Sequence, residues 1–331
     1  MDDRSHPAPP QRRGWRTALL ALVVLAGLIA LVLHWGDLER FTEMARAAQP
    51  AWLVAAFALQ LATYLFLALG WAAVLDEAGA PLPMRKLGRI AFNKLFVDQV
   101  VPAAGMSGNV LLIDRLVALG TPRGAAVAAL LVSMVGYYAV YALLAVLMLV
   151  ALWLHHAASA IVVGPVTAFL LVALAIPSLA LWLRRSGSRS LPGWIERLPP
   201  LHRLLSIVGE APGPLIRNRR LLARVAAWNG LIFLADAVTL AACLRALGGP
   251  FLPATAFIAF MMASIAVTLT PLPMGLGSFE ATCTAMLALL GIPAAAALAA
   301  TLLLRMLTLW LPLLPGMWMT IRARRTRKRP A

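Results

Sequence analysis

The sequence predicts an all-α polytopic membrane protein, an inverted repeat with about six full spans and two re-entrant helical hairpins. Three observations carry that expectation. Residues of the AVILMFWYC set make up 62% of the 331 residues, charged residues only 13%, and the mean hydropathy is +0.85, far from the composition of a soluble domain. The stretch 270–280, TPLPMGLGSFE, sets two prolines, two glycines and a carboxylate inside an apolar region. Backbone so interrupted is tolerated in hydrocarbon only where protein or a water-filled cavity covers it. Finally, a gapless shift of the chain along itself lays Pro102 on Pro273, Ser107 on Ser278, Gly120 on Gly291 and Pro122 on Pro293.

Taken in order, residues 1–16 are polar, proline-rich and basic, and read as a cytoplasmic tail. The apolar run 17–33 exceeds a signal-peptide core, and the Ala45–Ala47 cleavage candidate lies beyond Asp37, Glu39 and Glu43, so an uncleaved first span is expected. Residues 51–75 are long enough to return, to a loop carrying Arg85, Lys86 and Arg89. Residues 90–116 are interrupted by Asn93, Lys94, Asp98, Gln99, Pro102 and two glycines, with basic residues on both flanks. A path that enters from the cytoplasm and turns back fits them best. Residues 125–154 cross outward and 161–183 cross back, to the strongly basic loop 184–221. Residues 222–246 cross outward, 251–291 form the second hairpin, and 294–321 end in the basic tail 322–331.

One membrane domain, 17–321, thus holds repeat halves at about 51–154 and 222–321. Most of the 29 Lys and Arg fall on the side of the two termini. The net charge of +16 is therefore the positive-inside bias of a cytoplasmic (inner) bacterial-type membrane, with no nucleic-acid partner implied. Cys243 and Cys283 sit in apolar runs without metal or redox spacing and read as small buried thiols.

Three ionisable residues fall deep in the second half: Asp236, Glu280 and Arg305. A charge near the bilayer centre costs several kcal/mol, so each is expected to face the bundle interior or water. Two readings stay open for them. They form a structural ion pair, or Arg305 is a fork for an anionic headgroup and Glu280 orients it or accepts a coupling proton. The hairpin tips, including Gly275 and Gly277, leave N–H groups unpaired. The helix starting near Ser278 then offers its positive end to an anion. Ser107 and Ser278 serve as caps or as substrate contacts, and the Asn93, Lys94, Asp98, Gln99 cluster lines a headgroup path or a solvated flank. No P-loop, HExxH, GxSxG or metal-binding acidic cluster occurs, so neither an enzyme nor a cofactor is expected.

The motif Pro271, Pro273, Gly275, Gly277, Glu280, followed by Gly291, Arg305 and Gly316, resembles the membrane domain of lysylphosphatidylglycerol synthase and its stand-alone flippase-like relatives. Pro102, Gly105, Gly108, Arg115 and Gly120 match in the first half, and the likeness spans about residues 15–321. The resemblance implies paired re-entrant elements around a lipid-accessible cavity and movement of a lipid between leaflets. Asn109 stands where relatives often carry an acid, and Met134, in register with Arg305, stands where an arginine is common. A soluble aminoacyl-transfer domain is not among these residues, so lipid aminoacylation is not expected. The substrate expected is an anionic phospholipid or polyprenyl-phosphate-type amphiphile. Open alternatives are an ion-coupled small-solute transporter and a non-transporting subunit of a lipid-biosynthesis complex. A second copy of the chain or a biosynthetic protein remains open as partner.

Overall fold

Long Leu-, Ala- and Val-rich runs without internal proline satisfy their backbone hydrogen bonds within themselves as helix, which is what hydrocarbon requires. The computed structural model describes residues 48–100, 106–154, 164–175, 178, 212–270 and 275–310, the side chains at 99, 100, 106, 107, 154 and 310 excepted. Every regular element among the described residues is helical. In chain order these are α1 (Pro50–Glu77), α2 (Met84–Val100), α3 (Met106–Ala118), α4 (Arg123–Leu154), α5 (Gly164–Ala175), the short α6 (Gly213–Arg217), α7 (Arg219–Ala246), α8 (Pro253–Leu269), α9 (Ser278–Leu289) and α10 (Ala294–Arg305). A π-helical turn, Met306–Trp310, continues α10.

Three helices, α1, α4 and α7, are long and apolar enough to cross a membrane. They coincide, within a few residues, with the expected spans 51–75, 125–154 and 222–246. Helix α5 covers the middle of 161–183, and α10 with its π turn covers the first part of 294–321. The expected span 17–33, both basic tails and most of the basic loop lie outside the described residues, as do the hairpin-tip positions Pro102, Gly105 and Pro273.

The architecture is organised on one helix pair. Ahead of α1, the Gln49 N–H donates to the carbonyl of Ala246 at the end of α7, at 2.8 Å. At the other end, the Asn218 side chain accepts from the Arg220 and Leu221 N–H groups and so caps α7, while its Nδ2 donates to Glu77 Oε1 of α1 at 3.0 Å. With both ends joined this way, α1 and α7 run antiparallel. Between them Phe66 stacks on Trp228, ring centroids 5.9 Å apart. Helix α4 lies close against α7. A Cβ added at Gly136 of α4 would stand 3.1 Å from the Ala226 backbone nitrogen. Inside lipid, such close backbone approach replaces the hydrophobic drive that water supplies.

The remaining helices fall into two sets with one packing scheme. In the first, α1 packs on α2, α2 on α3, α3 on α4 and α4 back on α1. In the second, α7, α8, α9 and α10 do the same. The two corners are also alike. Gly120, after α3, and Gly291, after α9, both have φ of 91°, a left-handed conformation that glycine takes without a Cβ clash. The Thr121 N–H closes one corner on the Leu116 carbonyl at 3.1 Å, and the Ile292 N–H closes the other on the Leu287 carbonyl at 3.0 Å. The next proline in each, Pro122 or Pro293, gives its carbonyl to the following helix.

Two apolar clusters result. One gathers α1 to α4 around Trp71, Leu87, Leu112 and Leu116. The other gathers α7 to α10 with the later part of α4, around Leu240, Met261 and Cys283. Both cysteines are free and buried, as expected.

Candidate functional site

Residue Glu280 lies in the first turn of α9, where the helix dipole favours a negative charge. Its Oε2 accepts the Gly277 N–H at 2.7 Å, and its Oε1 accepts from Arg305 Nε at 2.6 Å. The Arg305 guanidinium also lies over the Phe279 ring, 4.9 Å from the centroid, a cation–π contact that holds its plane. The side chains of Arg305 and Glu280 are only 12% and 18% exposed, so the pair is screened little by water. Of the two readings open for these charges, the ion pair is present, and the anion at the α9 N-terminus is the chain's own carboxylate. The Ser278 hydroxyl donates to the Gly275 carbonyl at 3.0 Å, tightening the turn before α9.

The first half carries a related arrangement that its sequence register does not announce. Asp98, near the end of α2, accepts the Gly108 N–H of α3 through Oδ1 at 3.0 Å and Lys94 Nζ through Oδ2 at 2.7 Å. A Cβ on Gly108 would collide with Asp98 Oδ1, so glycine is what admits the carboxylate in this position. In each half a carboxylate therefore joins a cation to the N-terminal backbone of the second short helix.

Beside the first arrangement lies a cavity with two chambers. One, of about 330 Å³, is bounded by Trp71 and Leu67 of α1, Lys94 of α2, Asn109 of α3, and Ser133, Met134, Tyr137 and Tyr138 of α4. The other, of about 320 Å³, is bounded by Gln60, Thr63 and Tyr64 of α1, Asp236 of α7 and Thr308 of the π turn. Leu67, Lys94, Tyr137 and Asn229 border both. The Tyr137, Tyr141 and Phe233 rings pack together on the α4–α7 side. The buried Ser133 hydroxyl has no hydrogen-bond partner among the described residues.

Asp236 does not join Glu280 and Arg305. Its Oδ1 accepts from Gln60 Nε2 of α1 at 2.7 Å, and the same amide nitrogen reaches Thr239 Oγ1 at 3.2 Å. Since a carboxylate only accepts, Gln60 must turn its NH₂ toward it. The residues named from sequence thus divide into groups. Glu280, Arg305, Gly275, Gly277 and Ser278 gather at the start of α9. Gly108 meets Asp98, and Asn109 and Asp236 face the cavity. Pro102, Gly105, Pro273 and the Ser107 side chain lie outside what is described. Sequence reasoning passed over Gln60, Asn229 and the tyrosines of α4. An isolated amide in an apolar span was the available signal for the first two.

The model of the family described as Lysylphosphatidylglycerol synthase TM region matches residues 18–316. The chain belongs to this family. A search among curated proteins finds no match. The lysylphosphatidylglycerol synthase TM region family and the membrane-length helices together make the chain a membrane protein of a lipid-related family.

Proposed function

We propose that the chain is a lipid translocase, moving an anionic phospholipid or polyprenyl-phosphate-type amphiphile between leaflets by alternating access, without bond-making chemistry of its own. The observation that carries this reading is the cavity shared by α1, α2, α4 and α7. It sets a lysine, two asparagines and a carboxylate among aromatic and aliphatic walls. Such a lining suits a molecule with a charged head and an apolar body. Lys94 is its cation, and a phosphate entering there competes with Asp98 for the ammonium group.

The reading includes an inverted repeat of about six spans, the α2–α3 and α8–α9 pairs being the re-entrant hairpins. The antiparallel course of α1 and α7, their common packing scheme and the matched corners at Gly120 and Gly291 support it. The positive-inside bias then puts both termini in the cytoplasm of an inner-type membrane.

The test is translocation of fluorescent lipids in proteoliposomes, for wild type and Lys94→Ala, over anionic and zwitterionic headgroups. Protein-dependent movement that favours anionic headgroups, with the preference lost in Lys94→Ala, is expected. Wild type that moves no lipid faster than empty vesicles overturns the reading.

A further inference from the structure

We propose that Asp236 is a proton-binding site through which lipid movement is coupled to a transmembrane proton gradient; this rests on the translocase reading. Asp236 is the one acidic residue among those lining either chamber. It sits within a membrane-length helix, more than a turn from either end. No Lys, Arg or His among the described residues makes an ion pair with it. Its only hydrogen-bond donor there is the neutral Gln60 amide, which engages Oδ1, and the residue borders the second chamber. No cation among the described residues neutralises this carboxylate, and the cavity gives protons a route to it.

The groups around Asp236 supply no standing counter-charge. From α1, Gln60 and Tyr64 face it. From α4 comes Tyr137, and from α2 Lys94, whose ammonium is held by Asp98 at 2.7 Å. Helix α8 has no ionisable Asp, Glu, Lys, Arg or His. Helix α10 brings Arg305, which is held by Glu280 at 2.6 Å, and α6 carries only Arg217, at its end. Glu280, the other candidate for a coupling proton, is engaged on both oxygens. Two protonation states of Asp236 therefore differ by one full charge inside the cavity. Entry of an anionic head at Lys94 frees Asp98 and makes the site more negative, which draws a proton onto Asp236. Release of the head reverses both steps, so one proton accompanies each anion. A divalent metal cation is less suited, because only one carboxylate is among the residues lining the chambers.

The experiment uses the full chain in proteoliposomes and two readouts. The first is lipid movement with and without an imposed pH gradient, at fixed sodium. Wild type is expected to speed up about tenfold with the gradient. In Asp236→Asn, which keeps the side chain's shape, the ratio of rates with and without the gradient is expected to fall to about one whatever its basal rate, and Asp236→Glu is expected to keep the response. The second readout is labelling by an apolar carbodiimide, which attacks protonated carboxyls, followed by mass spectrometry of the α7 peptide. Labelling of Asp236 that falls as pH rises is expected. A gradient response unchanged in Asp236→Asn, a response to sodium in place of protons, or absence of labelling at acidic pH each overturns the proposal. If wild type moves no lipid, the translocase reading fails by itself, and the labelling still decides whether Asp236 takes up a proton.

Discussion

At the start of α9 and at the start of α3, a carboxylate holds both a backbone N–H and a cation, yet the two arrangements tie down different things. In the second half the acid, Glu280, stands on the hairpin's own second helix and the cation, Arg305, on α10. The ion pair therefore fastens the α8–α9 pair to the frame. In the first half Lys94 and Asp98 are one turn apart on α2, and the carboxylate reaches across to Gly108. That pairing stays inside the α2–α3 pair. The positions in register with Glu280 and Arg305 are Asn109 and Met134, and both line the cavity. Where one half spends its interior on an ion pair, the other leaves space. The difference teaches that, of two helix sets packed alike, the one that lacks the charged pair at these positions has open space there instead.

Removing the fastening tests the rigid side of this comparison and has the largest expected effect. Arg305→Ala leaves Glu280 enclosed without its cation, a loss of roughly 3 kcal/mol or more for a pair so little exposed. Thermal unfolding in detergent is expected to show that loss, and proteoliposome assays to show translocation abolished. Arg305→Lys keeps the charge but loses the flat fork and the fit over Phe279, so it should recover stability in part. Unaltered transport in Arg305→Ala breaks the assignment of α8–α9 as a fixed element.

The open side is tested by transplanting the pair. Asn109→Glu combined with Met134→Arg puts the second half's residues into the cavity wall. Transport is expected to fall at least tenfold while helical content by circular dichroism stays unchanged. Each single substitution, which leaves a lone charge facing the cavity, is expected to destabilise more than the double. A double variant that transports normally removes the chamber beside Asn109 from the substrate path.

A smaller effect follows from Gly108. An added Cβ collides with Asp98 Oδ1, so Gly108→Ala must push the carboxylate off the α3 backbone. About 1–3 kcal/mol of stability is expected to go, as for other overpacked sites, with Lys94 loosened at the same time. Measuring Gly108→Ala in the Asp98→Ala background checks the cause, since with the carboxyl group removed the collision is gone and the two losses should not add.

Much of this was legible beforehand, for physical reasons. The lengths of α1, α4 and α7 followed from apolar runs matched to the bilayer. The corners followed from Gly and Pro recurring in step, because few other residues make that turn. Glu280 and Arg305 stood out because charge inside an apolar region demands compensation. The contact of Asp236 with Gln60 was not legible, since the two are 176 residues apart and neither helix's pattern encodes the rotation that makes them meet. Nor was the role of Asp98 legible. Its spacing from Lys94 suits any surface helix pair, and only the fold brings Gly108 beneath it.

The finest comparison is between the two corners, where the halves are expected to be equal. Gly120 and Gly291 share a φ of 91°, and in neither case would a Cβ meet anything within 4 Å. Substituting alanine therefore adds conformational strain and no collision, about 1–2 kcal/mol for a left-handed residue. Unfolding of Gly120→Ala and Gly291→Ala is expected to give losses alike within a few tenths of a kcal/mol, and the double variant their sum. The closing bonds, Thr121 to Leu116 and Ile292 to Leu287, have nearly the same length, so backbone geometry supplies no reason for a difference. A loss at one corner more than twice the other means that one of them already yields in the folded protein. The hairpin whose corner yields is then the one to follow through a transport cycle, and by the argument above it should be the α2–α3 pair, whose Lys94–Asp98 pairing lies within the pair itself.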